Sequence, residues 1–286
     1  MIQKKINYLQ NVADQFSRHQ MGSLSLIVII FMIIMALLAP FISPYSPIEI
    51  GVGNFMAPPN TRNWFGTDEL GRDVFSRVLH GASVSLRVIF TAVFVALLFG
   101  TVLGAIAGYL GGVWDLIIMR FTDAMLAFPA IILALTIVAW LGPSLLNTTI
   151  AISIIKVSSF ARLVRGEVLA IRNVDFIRAA QLIGSSHIQI IFRHIFPNVI
   201  GSVIVFGSLT ASQALIIESG LSFLGLGAQP PEPSWGLMIA TGIEFTDAWW
   251  MSLFPGGAIF IVILSLNFLG DAVRDLLDFR LMGSKV

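Results

Sequence analysis

The sequence predicts an all-α integral membrane protein with six transmembrane helices. Of its 286 residues, 56% are hydrophobic and 12% are charged, and this charged share is about half that of a soluble domain. Several uncharged runs reach the roughly 20 residues that a helix needs to cross a bilayer. No segment shows the alternating pattern of a membrane β-strand, so every span is expected to be a helix.

The six expected spans follow one another along the chain. Four uncharged runs are long enough directly, whereas the run 124–155 is too long for one crossing. It is expected to divide at Gly142 and Pro143, which favour a turn. The fourth span is the weakest, because Lys156 and two serines interrupt it. The expected spans are 24–42, 88–114, 114–141, 145–164, 199–217 and 248–270.

The distribution of lysine and arginine orients these spans. Basic residues concentrate in the N-terminal leader and in segment 156–198, whereas the charged residues of the loop 225–253 are all acidic. Both chain termini and segment 156–198 are therefore expected on the cytoplasmic side. The expected organisation is a cytoplasmic N-terminal segment 1–22, a first transmembrane helix 23–42, an external loop 43–82, a five-helix core 83–280 with a cytoplasmic loop 165–197, and a cytoplasmic tail 281–286.

Small and polar residues form stripes along two spans. Glycines recur at strict four-residue spacing in the second span, which predicts close packing against another helix. These glycines are Gly100, Gly104, Gly108 and Gly112. In the fifth span Ser208 and Ser212 share a helical face, with Gln213 beside it. This face is expected either to pack against a helix or to line a hydrated path. Glu218 is expected to be solvated near the outer end.

The third span contains charged residues, which are costly inside a bilayer. Arg120 and Asp123 are three residues apart on one helical face, where they can form an ion pair. Asp123 lies deeper in the span, and two turns later Pro129 leaves a backbone carbonyl free. A local ion pair is therefore the favoured interpretation, and a part for Asp123 and Pro129 in gating or substrate passage is the alternative.

The residues of the chain offer no catalytic site of their own. None of the four histidines falls in mid-membrane, so no metal site is expected. A nucleophile–base–acid set is absent, which disfavours an intramembrane enzyme, and the phosphate-binding pattern G-x-x-x-x-G-K-[ST] is absent too. No cofactor is expected on this chain, and any ATP chemistry has to come from another chain. The net charge of +1 gives no indication of nucleic-acid binding.

A polar stretch, DFIRAAQLIGSSHIQIIFRHIFPN (175–198), interrupts the apolar sequence. It predicts a short helix with Asn173 or Asp175 as N-cap and Gly184 at the left-handed position after its end. Ser186 and Gln189 then form a capping box that begins a second helix. A hairpin lying on the membrane is one interpretation. The stretch offers little apolar area for that, so docking of a cytoplasmic partner is favoured.

This stretch resembles the signature loop of ABC importer permeases, E-A-A-x3-G-x9-I-x-L-P. Ala179, Ala180, Gly184 and Pro197 match its spacing, whereas Arg178 stands at the position of the glutamate. Other stretches resemble the second, C-type permease subunit of importers for dipeptides, oligopeptides and nickel. These are GTDELGRDVFSRVLHGASVSL (66–86), DAMLAFP (123–129) and FLGLGAQPPEPSWG (223–236).

The resemblance implies a type I ABC importer permease fold in a prokaryotic cytoplasmic membrane. It implies a heterodimer with a homologous permease, two cytoplasmic ATPases that bind ATP and magnesium, and an extracytoplasmic substrate-binding protein. The coupling helix would be 174–184. The residues expected to couple to the ATPase are Asp175, Arg178, Ala179, Ala180, Gln181, Gly184, Ser185 and Ser186. Those expected along the path are Asp123, Pro129, Ser208, Ser212 and Gln213.

The substrate implied by the resemblance is a peptide, with nickel, a metal chelate or glutathione as alternatives within the family. A secondary transporter acting alone is the rival class of protein. Such transporters usually contain internal repeats and buried ionisable residues in several spans. No repeat is evident here, and few charges other than Asp123 lie deep in a span.

Overall fold

The structure, a computed structural model, describes residues 19–283 and their side chains as far as Leu276. The expected N-terminal segment 1–22 and tail 281–286 both extend outside the described residues. Residues 19–283 form helices and loops without a β-strand, apart from an isolated bridge between Thr67 and Asp73. The expected all-α class is confirmed.

Ten α-helices follow one another in residues 19–283. They are α1 (Gln20–Ile42), α2 (Val74–Leu110), α3 (Gly112–Leu126), α4 (Ala130–Leu141), α5 (Leu145–Ile171), α6 (Asp175–Leu182), α7 (His187–Ile190), α8 (Phe196–Phe223), α9 (Trp235–Glu244) and α10 (Trp250–Gly283). A π-helical turn, Ile191–Ile195, joins α7 to α8, so these two helices form one continuous helix.

The described helices include four that are long and apolar enough to cross a membrane: α1, α2, the α7–α8 unit and α10. Helices α3 and α4 meet the same test together, but they are bent by 95° at the break between them. Counting this pair as one span raises the number to five. Helix α5 has 27 residues but is not apolar enough to be included. The expected six spans therefore stay a prediction that depends on α5.

Helix α2 begins earlier than the hydropathy pattern indicated. The external loop was expected to reach residue 82, but the helix starts at Val74 because the Asp73 side chain accepts a hydrogen bond from the Ser76 N–H at 2.8 Å. Arg77 is also helical and lies buried, with its guanidinium bonded to the Pro47 carbonyl at 2.8 Å. The loop outside α1 and α2 is therefore 43–73. Side-chain capping and burial override the unfavourable local hydropathy.

Helices α2 and α5 pack closely along their length. A Cβ at Gly104 would lie 2.5 Å from the Ala161 carbonyl oxygen, and one at Gly108 would lie 2.8 Å from Val168 Cβ. Only a glycine fits against the α5 backbone at such a distance. Gly112 departs from the expected stripe, because α2 ends at Leu110 and nothing lies within 4 Å of a Cβ at Gly112.

Two hydrophobic clusters stabilise the bundle of described helices, one towards each end of the bundle. One contains residues of α1, α2, α4, α5 and α8–α10, and its largest buried side chain is Trp235, whose indole N–H donates to the Val78 carbonyl at 3.0 Å. The other joins α2, α5 and α8 to the polar hairpin through Phe160, Ile177 and Ile195. The hairpin is thus packed against the helix bundle and positioned by it.

Candidate functional site

The polar stretch forms a helical hairpin whose first helix is α6. Its N-cap is Val174, whose side chain makes no capping hydrogen bond. The expected N-cap at Asn173 or Asp175 is therefore wrong. Asp175 occupies the first turn instead, where a carboxylate interacts favourably with the free N–H groups of the helix start.

The elbow between α6 and α7 has the expected geometry. Gly184 has a φ of +82°, a left-handed conformation that glycine adopts without strain. The Gly184 N–H donates to the Gln181 carbonyl at 3.0 Å and the Ser185 N–H to the Ala180 carbonyl at 3.1 Å, as in a Schellman motif. The Ser186–Gln189 capping box is present as well. Local hydrogen bonds therefore determine the direction in which the second helix leaves the elbow.

The hairpin presents both polar and apolar side chains on its free surface. Ala180 is not among them, because it is buried with Ile177 against the bundle. Leu182 and Ile183 are 88% and 83% exposed and lie next to the elbow. The other expected coupling residues are exposed, apart from Ser185, which is half-buried. These residues are Asp175, Arg178, Ala179, Gln181, Gly184 and Ser186.

Polar contacts connect the elbow to the end of α2. The Tyr109 hydroxyl lies 3.4 Å from Gln181 Nε2 and 3.3 Å from His187 Nδ1, so it contacts both arms of the hairpin. Just before the hairpin, the Arg172 guanidinium donates to the Gly108 carbonyl at 3.2 Å. A movement of the hairpin would therefore pull on the same end of α2 that packs against α5.

Charged residues join α3 to α5. Asp123 forms an ion pair with Arg162, and Asp115 accepts a hydrogen bond from Arg165 Nη2 at 2.7 Å. The expected pair between Arg120 and Asp123 is wrong, since Asp123 reaches across to the neighbouring helix and Arg120 is exposed. The side chains of Asp123 and Arg162 are 54% and 50% exposed. This pair lies on a surface that the described residues leave about half uncovered.

The chain turns sharply between α3 and α4. Pro129 is the N-cap of α4, and its exposed ring follows the C-cap of α3 at Ala127. A proline cannot donate the backbone hydrogen bond that would continue the first helix. The 95° bend therefore lies one and a half turns beyond Asp123, which places the ion pair with α5 next to a break in the span.

The polar residues of α8 have different environments. Ser212 is buried and donates to Asn267 Oδ1 of α10 at 3.1 Å, while half-buried Ser208 donates to the Val205 carbonyl at 2.7 Å. Gln213 is exposed and accepts a hydrogen bond from the Lys156 ammonium of α5 at 2.6 Å. Of these three candidates on the path, Gln213 is the one with an open surface, while Ser212 holds two helices together.

Glu218 is not solvated as expected but fully buried. Its carboxylate oxygens accept hydrogen bonds from Ser222 at 2.9 Å and from Ser85 of α2 at 3.0 Å, with Ser219 at 3.4 Å. Hydroxyl donors compensate for much of the cost of burying the carboxyl. Glu218 therefore connects α2 to α8 at the end of the bundle remote from the hairpin.

Comparison with known proteins identifies the family. Residues 100–283 match the family described as binding-protein-dependent transport system inner membrane component. This match covers the ion pairs, the hairpin and α8. The chain belongs to this family of transport components. Residues 7–59 match a second family, the N-terminal transmembrane domain of oligopeptide transport permease C, which agrees with the expected C-type subunit.

Curated relatives of this transport component are similar over most of its length. A dipeptide transport system permease protein of Alkalihalophilus pseudofirmus is 46% identical over 265 residues, covering 92% of this chain and 87% of the relative. A probable D,D-dipeptide transport system permease protein of Escherichia coli K12 is 39% identical, with 91% and 88% covered. A glutathione transport system permease protein of Escherichia coli O157:H7 is 42% identical, with 94% and 89% covered.

Sequence reasoning missed several residues of the transport component's hairpin and span. The exposure of Leu182 and Ile183 could have been inferred from the local sequence. These two apolar residues directly precede a Gly-Ser-Ser break, so no continuing helix face is present on which to bury them. The contacts of Tyr109 and the ion pair of Arg162 had no such signal. The two partners of Tyr109 lie 72 and 78 positions away in the chain, and the partner of Arg162 lies 39 positions away.

Proposed function

We propose that the chain is the C-type permease subunit of an ATP-driven, binding-protein-dependent importer of peptides. The observation that carries this proposal is the 46% identity to a dipeptide permease across 92% of the chain. The glutathione permease among the relatives supports the same class of cargo, because glutathione is a tripeptide. Within this class a dipeptide is the first substrate to test. A stand-alone secondary transporter is not favoured.

The hairpin is proposed as the site where an ATPase subunit docks. Its exposed apolar pair Leu182 and Ile183 would enter a groove on the ATPase, with Arg178 and Gln181 at the polar rim. ATP and magnesium would bind to the two ATPase subunits and not to this chain. Closure of the ATPases would move the elbow, and the contacts of Tyr109 and Arg172 would pass that movement to α2.

The membrane arrangement is proposed from charge and length. Six spans with both termini in the cytoplasm put the hairpin beside the ATPases and α9 on the outer side, where the substrate-binding protein would deliver its cargo. A homologous permease would cover the exposed faces of this chain, and lipid would cover the rest. Asp123, Pro129 and Gln213 are proposed to face the path, because each is exposed in the single chain.

Purification in mild detergent tests the assembly. Tagged chain should copurify with a second permease and with ATP-hydrolysing subunits, and the purified complex should hydrolyse ATP. The control is the same preparation from cells that carry the tag alone. Recovery of a lone chain, or of a complex of this chain only with itself, would contradict the proposal.

Reconstitution then tests the cargo. The complex in liposomes, supplied with its binding protein and ATP, should take up a labelled dipeptide, and uptake should stop when ATP is replaced by a non-hydrolysable analogue. Labelled glutathione and nickel ions serve as competing cargoes in the same preparation. ATP-dependent uptake of nickel without uptake of either peptide would overturn the proposed substrate class but not the permease assignment.

A further inference from the structure

Lys156 of α5 is a buried cation without a counter-ion in the part of the chain that the structure describes. The residue is 5% exposed, and its ammonium donates to Gln213 Oε1 of α8 at 2.6 Å. Among the described residues, no carboxylate oxygen lies within 4.0 Å of this nitrogen. An ammonium has three donors, and the described residues provide an acceptor for one of them. The other two donors have no acceptor among the described residues.

The position of this pair in the membrane makes the missing counter-ion significant. At 1.5 Å per residue, Lys156 lies about 16 Å along α5 from Leu145, and Gln213 lies about 15 Å along α8 from Phe223. Both helix ends lie on the expected outer side, so the pair falls near the middle of a hydrocarbon core about 30 Å thick. An ionisable group at that depth is costly and usually marks a path for substrate or ions.

The hydrogen-bond partner of the buried ammonium reaches the surface of the single chain. Gln213 is exposed, whereas its neighbours Ser212 and Ala214 are buried. The Gln213 amide nitrogen has no partner among the described residues, so it can donate outward while the amide oxygen accepts from Lys156. A carboxylate that reaches this face would therefore meet the amide N–H group of Gln213, whose oxygen is hydrogen-bonded to the lysine ammonium.

We propose that Lys156 and Gln213 bind the C-terminal carboxylate of a peptide as it crosses the membrane. This inference rests on the proposed function and names the residues that hold the cargo. A carboxylate supplies the negative charge and the acceptors that the ammonium lacks, and a charge-assisted hydrogen bond of this kind is strong where water is excluded. The other candidate for the missing counter-ion is a carboxylate of the second permease, which the experiment distinguishes.

The test measures uptake of labelled dialanine by the complete complex in liposomes, with the peptide at a concentration that saturates the binding protein. Lys156→Met removes the charge and keeps an unbranched chain of similar length. Gln213→Glu keeps the lysine and supplies it with an internal counter-ion, so the cargo's carboxylate is displaced. Ser153→Ala is the matched control. Ser153 is 6% exposed on the same helix, and among the described residues its hydroxyl donates only to the Thr149 carbonyl.

Both test variants should lower uptake at saturating peptide by about tenfold, the effect of one charge-assisted hydrogen bond. Assembly and ATP hydrolysis stimulated by peptide-loaded binding protein should persist, and Ser153→Ala should transport normally. Unchanged uptake by either test variant would overturn the inference alone. Loss of the second permease from purified Lys156→Met complex would overturn it too and assign the ammonium to that subunit. No dialanine uptake by the wild-type complex would overturn the proposed dipeptide cargo as well, but not the permease assignment.

Discussion

At Gly184 the backbone has a φ of +82°, and nothing lies within 4 Å of the position that a Cβ would take. A larger residue there meets backbone strain but no clash. Gly184→Val should therefore cost about 1–2 kcal/mol of elbow stability, because a β-branched residue resists the left-handed conformation. The variant should retain less ATPase during purification, measured as ATPase recovered per permease.

Two other variants distinguish the effect of backbone strain at the elbow from the effect of a larger side chain. Gly184→Asn should retain ATPase nearly as well as wild type, since asparagine tolerates the left-handed region. Gly166→Ala is the matched control, because Gly166 of α5 also has open space around it but lies in ordinary helix. Equal ATPase recovery from Gly184→Val and Gly166→Ala would show that docking does not depend on the elbow's backbone.

Residues whose roles follow from near neighbours in the chain were predictable from sequence. Gly184 and the Ser186–Gln189 capping box obey local rules of helix termination, and the structure contains both features. Burial was not predictable in the same way. Ala180 and Glu218 are both buried by helices that are remote in sequence, so no local pattern distinguishes them from exposed residues.

The ion pair between Asp123 and Arg162 joins helices α3 and α5 next to the bend between α3 and α4. Each side chain is about half exposed, and pairs of that kind contribute about 1 kcal/mol or less. Asp123→Ala and Arg162→Ala should therefore lower the melting temperature of the purified complex slightly and equally, and the double variant should lower it no further. Arg120→Ala should leave it unchanged.

Transport assays on the same variants decide what the pair does. If Asp123 serves the path, Asp123→Ala lowers peptide uptake while the complex stays assembled, and Arg162→Ala does not reproduce that loss. A purely structural pair predicts equal uptake by both single variants. Additive losses of stability in the double variant would show that Asp123 and Arg162 act independently, contrary to the geometry.

The outer segment 43–73 contains a carboxyl group whose ionisation is unfavourable. Burial, and next the charge of Asp68, raise the pKa of Glu69 above its ordinary value of 4.5. One of its oxygens is buried without a partner in the described structure, while the other accepts from Arg72 at 2.6 Å. Because the folded pKa is the higher one, the contribution of Glu69 to the stability of the segment is fully present below about pH 4.5 and is lost as pH rises through the raised pKa.

Glu69→Gln removes this titration, so the slope of melting temperature against pH should become flatter between pH 4.5 and neutrality. Thermal unfolding of the purified complex across that range measures it. Glu49→Gln is the control, because Glu49 is an exposed carboxyl in the same segment. An unchanged slope in Glu69→Gln would mean that this carboxyl does not titrate in that window.

The presence of a helix was predictable from sequence where hydropathy alone determines it. The all-α class follows from apolar runs, but the 95° bend between α3 and α4 does not, since proline predicts a break and not its angle. The start of α2 depends on a cap at Asp73 and on burial of Arg77 inside the folded outer segment. A hydropathy window contains no information on either feature.

The number of times that the whole chain crosses the membrane depends on whether the bent α3–α4 pair and α5 both span it. If they do, the turn between α4 and α5 lies outside and the hairpin lies in the cytoplasm. The chain contains no cysteine, so single cysteines can be introduced without a background signal. Pro143 in the turn, Ser186 in the hairpin and Glu232 before α9 are exposed positions for them.

A membrane-impermeant maleimide applied to intact cells, stripped of any outer membrane, should label Pro143→Cys and Glu232→Cys. It should reach Ser186→Cys only after the membrane is opened. If the bent pair instead returned to the side on which it began, Pro143→Cys would stay unlabelled in intact cells and the hairpin could not face an ATPase after one crossing by α5. Labelling of Ser186→Cys from outside would therefore refute the six-span arrangement and the docking site together.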